Sequence, residues 1–297
     1  MKETVIIFRP SSEIHLKTHF VKEFFFKKLL QNIKALLKNN KIDFTLIGKY
    51  SGIIVFKTSN NNNAVPLLKK IFGIHSFSIA ETHSFSSMDD LKELFLVFAK
   101  KSLSKGNSFA LKISRNGKHA FSSKDVAVKC GQKIMDSIKG IKVNLSKPEK
   151  TIFADIIKNK VFLYLEKIEG IKGLPVGVEG KVGVLMQGKE EELVSGFLMM
   201  KRGCNIFPVI TEINPQIKKN FELLSKWNSF VEFKPIFYSE IEKEKKFLSA
   251  LILSERIQEK ALREMTELAE QTGFVVFSPL TLFPEDKFKE ILGLVKK

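Results

Sequence analysis

Two hydrophobic periods alternate along this chain, and the places where they change mark off three stretches. In the first, TVIIFR at 4–9 is an apolar run of strand length. VKEFFFKKLLQNIKALLK at 21–38 sets Val21, Phe25, Leu29, Ile33 and Leu36 on one helical face with lysines opposite. Runs at 44–49 and 52–58, broken at Tyr50-Ser51-Gly52, read as a hairpin. Asn60 to Asn63 reads as a polar turn before a short helix at 64–72, and 75–82 reads as a further strand. This β-α-β-β-α-β order suits a ferredoxin-like domain.

The second stretch opens with a helix over 88–103 that Ser87 can cap, with acids in its first turn and lysines in its last. A strand at 108–114 leads through a basic turn, Arg115 to His119, into a helix over 123–138 capped by Ser122 or Ser123. Strands near 142–145, 151–157 and 160–167 follow, and GIKGLPVG at 170–177 reads as an exit loop or linker. The third stretch alternates. Strands at 181–186, 205–211, 231–237, 248–253 and 274–278 are separated by helices at 192–202, 216–228, 239–246 and 256–272, and a last helix spans 284–296. Such alternation predicts a parallel sheet with helices on both faces and ligands beyond the carboxyl ends of its strands. The predicted fold class is an α+β N-terminal half followed by an α/β Rossmann-like domain.

Charge sharpens this division. The 297 residues carry 49 Lys+Arg against 32 Asp+Glu, a net charge of +17. Residues 1–180 hold 31 basic against 15 acidic side chains, while residues 181–297 hold 18 against 17. A lysine-rich proteome would spread positive charge over both halves. Its concentration in the first predicts a polyanion-binding half joined to a near-neutral one. No apolar run reaches the roughly 18 residues that a membrane span needs, so no membrane partner is expected. Cys130 and Cys204 match no metal or redox spacing, and a cytoplasmic location is the expectation. His15 and His19 lie four apart but lack partner ligands for zinc. No metal and no cofactor are predicted.

Candidate chemistry concentrates in two turns. The strand at 181–186 runs into a helix through Gln187, Gly188, Lys189, Glu190, Glu191 and Glu192. A strand–glycine turn–helix junction is a place to hold phosphate, because free backbone N–H groups and the helix dipole converge there. Gly183 to Lys189 fits G-x-x-x-x-G-K, but Gly183 falls inside the strand and the next residue is Glu190 rather than Ser or Thr. Three acids at an anion site contradict anion binding, since two unit charges about 4 Å apart repel by about 4 kcal/mol at an effective dielectric of 20. Acids in a first helical turn are also what helix stability alone favours. At the second, Lys112, Arg115, Lys118 and His119 sit on or just after a strand and Ser122 and Ser123 open a helix, and their donors suit phosphate oxygens. Taken singly, Lys118 or Lys22 reads as a solvated lysine, His119 as a turn residue bonded to backbone, and Ser122 as a helix cap.

Several segments resemble one family in the right order: SSEIHLKTHFVKEFF (11–25), KIFGIHSFSIAE (70–81), LKISRNGKHAFSSKDV (111–126), YLEKIEGIKGLPVG (164–177) and LMMKRGC (198–204). By these the chain is similar to the tRNA 4-thiouridine synthetases, or tRNA sulfurtransferases, a family linked to thiamine biosynthesis. The resemblance implies an N-terminal ferredoxin-like domain (1–84), a THUMP RNA-binding domain (85–170), a linker (171–179) and an ATP-pyrophosphatase PP-loop domain (180–297). It implies that Arg115, Lys118, His119 and their neighbours hold the tRNA acceptor end, and that Lys17 and Lys22 match basic positions facing tRNA. Gly173, Pro175 and Gly177 match the family's linker. A homodimer is expected, with a sulfur-transfer or PP-loop protein as a further partner.

The family's PP-loop resembles S-G-G-x-D-S, and residues 187–192 keep only one glycine of it. A later nucleotide motif similar to G-E-x-x-G-Q aligns with Ser254 to Glu259 and keeps only the acid. The family's catalytic cysteine and rhodanese extension are expected to lie outside this sequence, and Cys204 reads as a packing residue. The implied protein is a tRNA-binding relative without its own catalysis. The alternative is a component of 4-thiouridine formation whose ATP activation or sulfur transfer comes from another chain or an unconventional site.

Overall fold

A computed structural model describes residues 3–50, 52–227, 234–256 and 259–297 of the chain. Contacts divide it into two compact units, one of Met1–Arg9, Asp43–Asn61 and Ser76–Glu169, the other of Pro10–Ile42, Asn62–His75 and Gly170–Lys297.

The first unit is built on one mixed sheet. Its strands are β1 (Glu3–Pro10), β2 (Thr45–Tyr50), β3 (Ile53–Lys57), β4 (Ile74–Ser84), β5 (Ser108–Asn116), β6 (Lys142–Val143), β7 (Lys150–Ile157), β8 (Lys160–Tyr164) and β9 (Ile168–Glu169). They lie in the order β2-β3-β1-β4-β8-β7-β5-β6, with β9 paired to β4. Thus β4 and β8 join the two β-stretches read from the sequence into one sheet, in an antiparallel register of Glu81 to Leu163 through Ser84 to Lys160. Beside β5 and β7, which run parallel, lie α4 (Met88–Ser102) and α5 (Ser123–Ser137), the fourth and fifth helices of the chain. Leu91, Phe95 and Ala99 of α4 and Val126, Cys130 and Ile134 of α5 share one buried cluster with Phe109, Ile152 and Val161. Both helices start at a capping box, Ser87 with Asp90 and Ser122 with Asp125, in which the serine oxygen and the acid each bond a backbone N–H of the other's residue.

The second unit carries a five-stranded parallel sheet. Its strands are β10 (Lys181–Leu185), β11 (Asn205–Ile210), β12 (Ile236–Phe237), β13 (Ala250–Ile252) and β14 (Val276–Phe277), in the order β12-β11-β10-β13-β14. The chain therefore reverses direction across the sheet at β10 and β13, the place where open α/β sheets leave a crevice. Helices α6 (Glu190–Lys201), α7 (Pro215–Ser225), α8 (Glu259–Thr272) and α9 (Glu285–Val295) connect or follow these strands. The first three helices, α1 (Ser12–His15), α2 (His19–Asn39) and α3 (Asn61–Leu68), group with this unit, α3 from Asn62 on. Phe72, after α3, lies 5.1 Å from the Phe197 ring and 6.2 Å from Trp227 within the core of the parallel sheet. Asn32 of α2 donates to the Val176 carbonyl at 3.1 Å.

Several expectations shift. Asn61 to Asn63 begin α3 instead of forming a turn. Arg115 and Asn116 extend β5 rather than belonging to the basic turn. The strand expected over 160–167 ends at Tyr164, and the short β9 follows. Helix α6 starts two residues early, at Glu190. The helix expected at 239–246 is a 3-10 segment over Tyr238–Lys246. Ser51, residues 231–233 of an expected strand, and Ile257 and Gln258 of the altered nucleotide motif lie outside the described residues. Residues 173–176 are buried, so this part of the expected linker is packed. The N–H groups of Gly177, Val178 and Glu179 all donate to the Gly203 carbonyl, at 2.7, 3.0 and 3.1 Å. Two of the segments that carried the resemblance, GIKGLPVG and LMMKRGC, thus clamp one another.

Candidate nucleic-acid interface and anion loop

The basic turn of the first unit leaves β5 at Arg115 and Asn116 and enters α5 at Ser123. One Arg115 guanidinium nitrogen donates to the Gly117 carbonyl at 3.0 Å and lies 3.1 Å from His119 Nδ1. His119 Nε2 lies 2.7 Å from the Lys158 carbonyl. A guanidinium only donates and a carbonyl only accepts, so the ring meets both partners as the tautomer protonated on Nε2. Phe121 packs 5.1 Å from the same ring and Phe85 stacks at 6.3 Å. Gly117, at φ +108°, supplies the left-handed residue that the turn needs. Arg115 and His119 therefore hold the turn's shape, and Lys118 is exposed at its tip. Ser122 is spent on the cap, with its oxygen 3.1 Å from the Asp125 N–H.

Lys112 does not join this group. It lies three residues before Arg115 on the same strand, and side chains three apart point to opposite faces. Lys112 pairs in register with Phe153, over whose ring Lys167 Nζ lies at 4.9 Å. Burial and the nearby Arg9 charge push the Lys167 ammonium below its ordinary value. Arg9 itself is paired to Asp155 at 2.5 Å and lies over the Tyr164 ring at 4.8 Å. Sequence reasoning missed Arg9, Lys158 and Lys167; the strand alternation that places Lys112 with Phe153 is the signal that bears on Lys167. Lys17 and Lys22 belong to the second unit, Lys17 lying 5.7 Å over the Phe25 ring. Lys22 adds to the burial that lowers the His15 pKa.

The loop after β10 is a second strand–turn–helix junction. Gly188 sits at φ +98°, and a Cβ there would meet the Gln216 side chain at 3.1 Å. Glu190 to Glu192 form the first turn of α6, with Lys189 as N-cap. The three acids part company. Glu190 pairs with Lys296. Glu191 is half-buried at the rim. Glu192 turns inward and is only 1 % exposed. Its two oxygens accept the Gln187 N–H at 2.5 Å and the Gly188 N–H at 3.1 Å, and the carboxylate also meets the Lys189 N–H and the Asn220 side chain. Buried Asn220 donates to the Lys189 carbonyl at 2.9 Å and is held by Gln216 at 2.8 Å. Burial pushes the Glu192 carboxyl above its ordinary value, against the pull of these donors.

Across the crevice, Lys189 reaches Glu255 at 2.6 Å, just past β13. Glu255 is the one acid kept from the family's later motif. The resemblance implies an adenine nucleotide at this loop, and the residues present do not fit one. The N–H groups that would meet phosphate are taken by a buried carboxylate, and two more acids stand at the same helix end. Gly183 lies mid-strand, where a Cβ would stand 2.7 Å from Val209 and 2.8 Å from Leu251, so the G-x-x-x-x-G-K spacing reflects packing. Both thiols are buried, which pushes Cys204 up to about 11 and Cys130 up to about 12 and disfavours their thiolate forms. Among the described residues no cluster of His, Cys, Asp or Glu could hold a metal, and no helix is long and apolar enough to cross a membrane.

Comparison with known proteins places this scaffold in its class. The ThiI ferredoxin-like domain family matches residues 5–78, and the THUMP domain family matches residues 85–166. Two domain matches in this order, ahead of a parallel α/β unit, define a ThiI-type architecture. The chain belongs to the ThiI family, many of whose members are named tRNA sulfurtransferase. It is 34% identical over 218 residues to a probable tRNA sulfurtransferase of Methanosarcina mazei, covering 72% of this chain and 53% of that protein. It is 26% identical to the tRNA sulfurtransferase of Blochmanniella pennsylvanica, covering 98% of this chain and 68% of that protein. The chain thus spans about half the length of the Methanosarcina relative. Its fold matches PH1313 from Pyrococcus horikoshii with a TM-score of 0.85 at 24% identity, over 99% of this chain and 100% of that one. It matches a 4-thiouridine synthetase, solved as an RNA complex with bound ATP, with a TM-score of 0.67 at 20% identity, over 99% of this chain and 85% of that one.

Proposed function

We propose that this protein binds the acceptor end of tRNA through its THUMP domain and acts in tRNA thiolation without activating the substrate at its own nucleotide loop. The observation that carries the reading is the charge asymmetry: 31 basic against 15 acidic residues before position 181, and 18 against 17 after it. The THUMP match alone holds 16 basic against 8 acidic side chains. Structured RNA is read through shape and backbone phosphates more than through base sequence, which this surface suits. Lys118, at the tip of a turn held rigid by Arg115 and His119, is the side chain best placed to meet phosphate. Ser123 serves as a further contact beside it and Ser122 serves through the cap, while Lys112, on the opposite face of β5, and Lys17 and Lys22, in the second unit, are separate candidate contacts.

A second reading rests on the names of the relatives. The chain would then be a component of sulfur transfer to tRNA, with ATP activation or sulfur transfer supplied by another chain or by an unconventional site. Both readings require tRNA binding, which titration of the full chain with intact and CCA-trimmed tRNA over a salt series tests. The proposal expects affinity that falls steeply with salt and weakens on trimming. Equal, salt-insensitive affinity for both RNAs would contradict it. Thiolation of tRNA by this chain alone, given ATP and a sulfur donor, would favour the second reading, through an unconventional site, over the first.

A further inference from the structure

We infer that Glu192 is the resident anion of the loop after β10, a carboxylate built into the chain that occupies the phosphate cradle and closes it to nucleotides. The inference deepens the reading that this loop activates no substrate, and it stands apart from tRNA binding.

Three observations converge on it. The first is position. The loop lies at the carboxyl end of β10, next to the β10–β13 reversal where α/β sheets bind ligands. The second is donor direction. At an open anion site the N–H groups of the glycine turn and of the first helical residues converge on empty space. Here the Gln187 and Gly188 N–H groups converge on Glu192, one to each oxygen, and the Lys189 N–H joins them. A carboxylate held by several backbone N–H groups from one turn reproduces the contacts of a bound phosphate with no bound ion. The third is support from behind. Asn220, 2 % exposed, ties the Lys189 carbonyl to α7 and touches the same carboxylate. The plug is therefore fixed by packing and does not depend on a surface rotamer. The Lys189–Glu255 pair spans the crevice outside it, so the cation that would face a phosphate is neutralised as well.

An isolated acid at a helix N-terminus would be ordinary helix chemistry. Glu190 is such an acid, paired with Lys296 and exposed. Glu192 differs because its side chain folds back into the turn that precedes the helix and is shielded from water there. The arrangement predicts that the cradle is intact beneath the plug, and that removing the carboxylate while keeping a small polar side chain reopens it to an inorganic anion.

The test uses inorganic pyrophosphate and the full chain, as wild type, Glu192→Ser and Glu192→Gln. Binding is read by calorimetry, and its place by hydrogen exchange of the Gln187, Gly188 and Lys189 amides. In the wild type these amides should be protected, and pyrophosphate should not change them. In Glu192→Ser they should exchange faster, and pyrophosphate should restore protection there, with affinity about tenfold or more above that of the wild type. Glu192→Gln keeps the size but not the charge, and covers the case in which the serine variant does not fold. Its amides at 187 and 188 should exchange faster than in the wild type, because a neutral acceptor holds them less strongly. The inference is overturned if pyrophosphate protects these amides in the wild type, if Glu192→Ser folds and gains no local binding, or if Glu192→Gln leaves their exchange unchanged.

Discussion

The turn before α5 and the turn before α6 are built to the same plan and do opposite things. Each follows a strand, passes a glycine with positive φ, and ends at a helix whose third residue is acidic: Asp125 in one, Glu192 in the other. In each, that acid bonds backbone N–H groups of the turn. At Asp125 the N–H of Ser122 holds the carboxyl below its ordinary value, since the group stays in water. At Glu192 burial raises the carboxyl above its ordinary value although more donors meet it. The difference lies in desolvation, which disfavours the charged form more than hydrogen bonds favour it. An exposed cap leaves a turn free to present Lys118. A buried one fills the turn and leaves nothing to present.

This contrast can be broken experimentally. The largest effect is expected from Glu192→Leu, which orphans buried donors at the loop and should cost about 3 kcal/mol of stability, measured by denaturant unfolding. It should leave tRNA affinity unchanged where the protein is folded. Lys118→Glu should do the reverse, with a loss of about tenfold in tRNA affinity, a salt slope smaller by about 1, and an unchanged melting temperature. Ser122→Ala removes the cap and should cost about 1 kcal/mol in the same unfolding experiment.

A pH series separates the two acids further. Because the Glu192 carboxyl titrates above its ordinary value of 4.5, the folded protein holds its proton where the unfolded chain has released it. Its contribution to stability is therefore greatest below 4.5 and declines as pH rises towards the raised value. Subtracting the Glu192→Gln profile isolates that decline from the neighbouring Lys189, Glu191 and Glu255. Asp125 is shifted the other way, so its contribution should grow as pH rises towards 3.8. The smallest effect is expected from Lys189→Ala, whose half-exposed pair with Glu255 should contribute less than about 1 kcal/mol.

Much of this architecture could be read from the chain. The period change from 3.6 to 2 marked the elements of the first unit, and Ser87 and Ser122 stood where caps were expected. Strand and helix alternation after residue 180 announced the parallel sheet. What a helix packs against is another matter. The apolar face of α2 showed that Phe25, Leu29 and Ile33 would be buried, but not that α2 and α3 would group with residues 170–297. An amphipathic pattern reports how much is covered and says nothing of the partner.

At both turns the element boundaries differ from those read in the sequence, and this changes where the side chains fall. Ending β5 at residue 114 left Arg115 outside the strand's alternation, whereas a strand reaching Asn116 places Arg115 and Lys112 on opposite faces. Starting α6 at residue 192 made the three glutamates look alike. With the start at Glu190 and the N-cap at Lys189, Glu192 becomes the third helical residue, the one whose side chain reaches back to the cap N–H. That position was in the sequence, but which of three adjacent acids turns inward depends on Asn220 and Gln216, about thirty residues away.

Hydrogen exchange of the full chain, recorded with tRNA and separately with ATP, tests both turns in one measurement. The account predicts that tRNA slows exchange over residues 115–123 and that ATP leaves residues 186–192 as they are. Protection of 186–192 by ATP, or no effect of bound tRNA on 115–123, would contradict it.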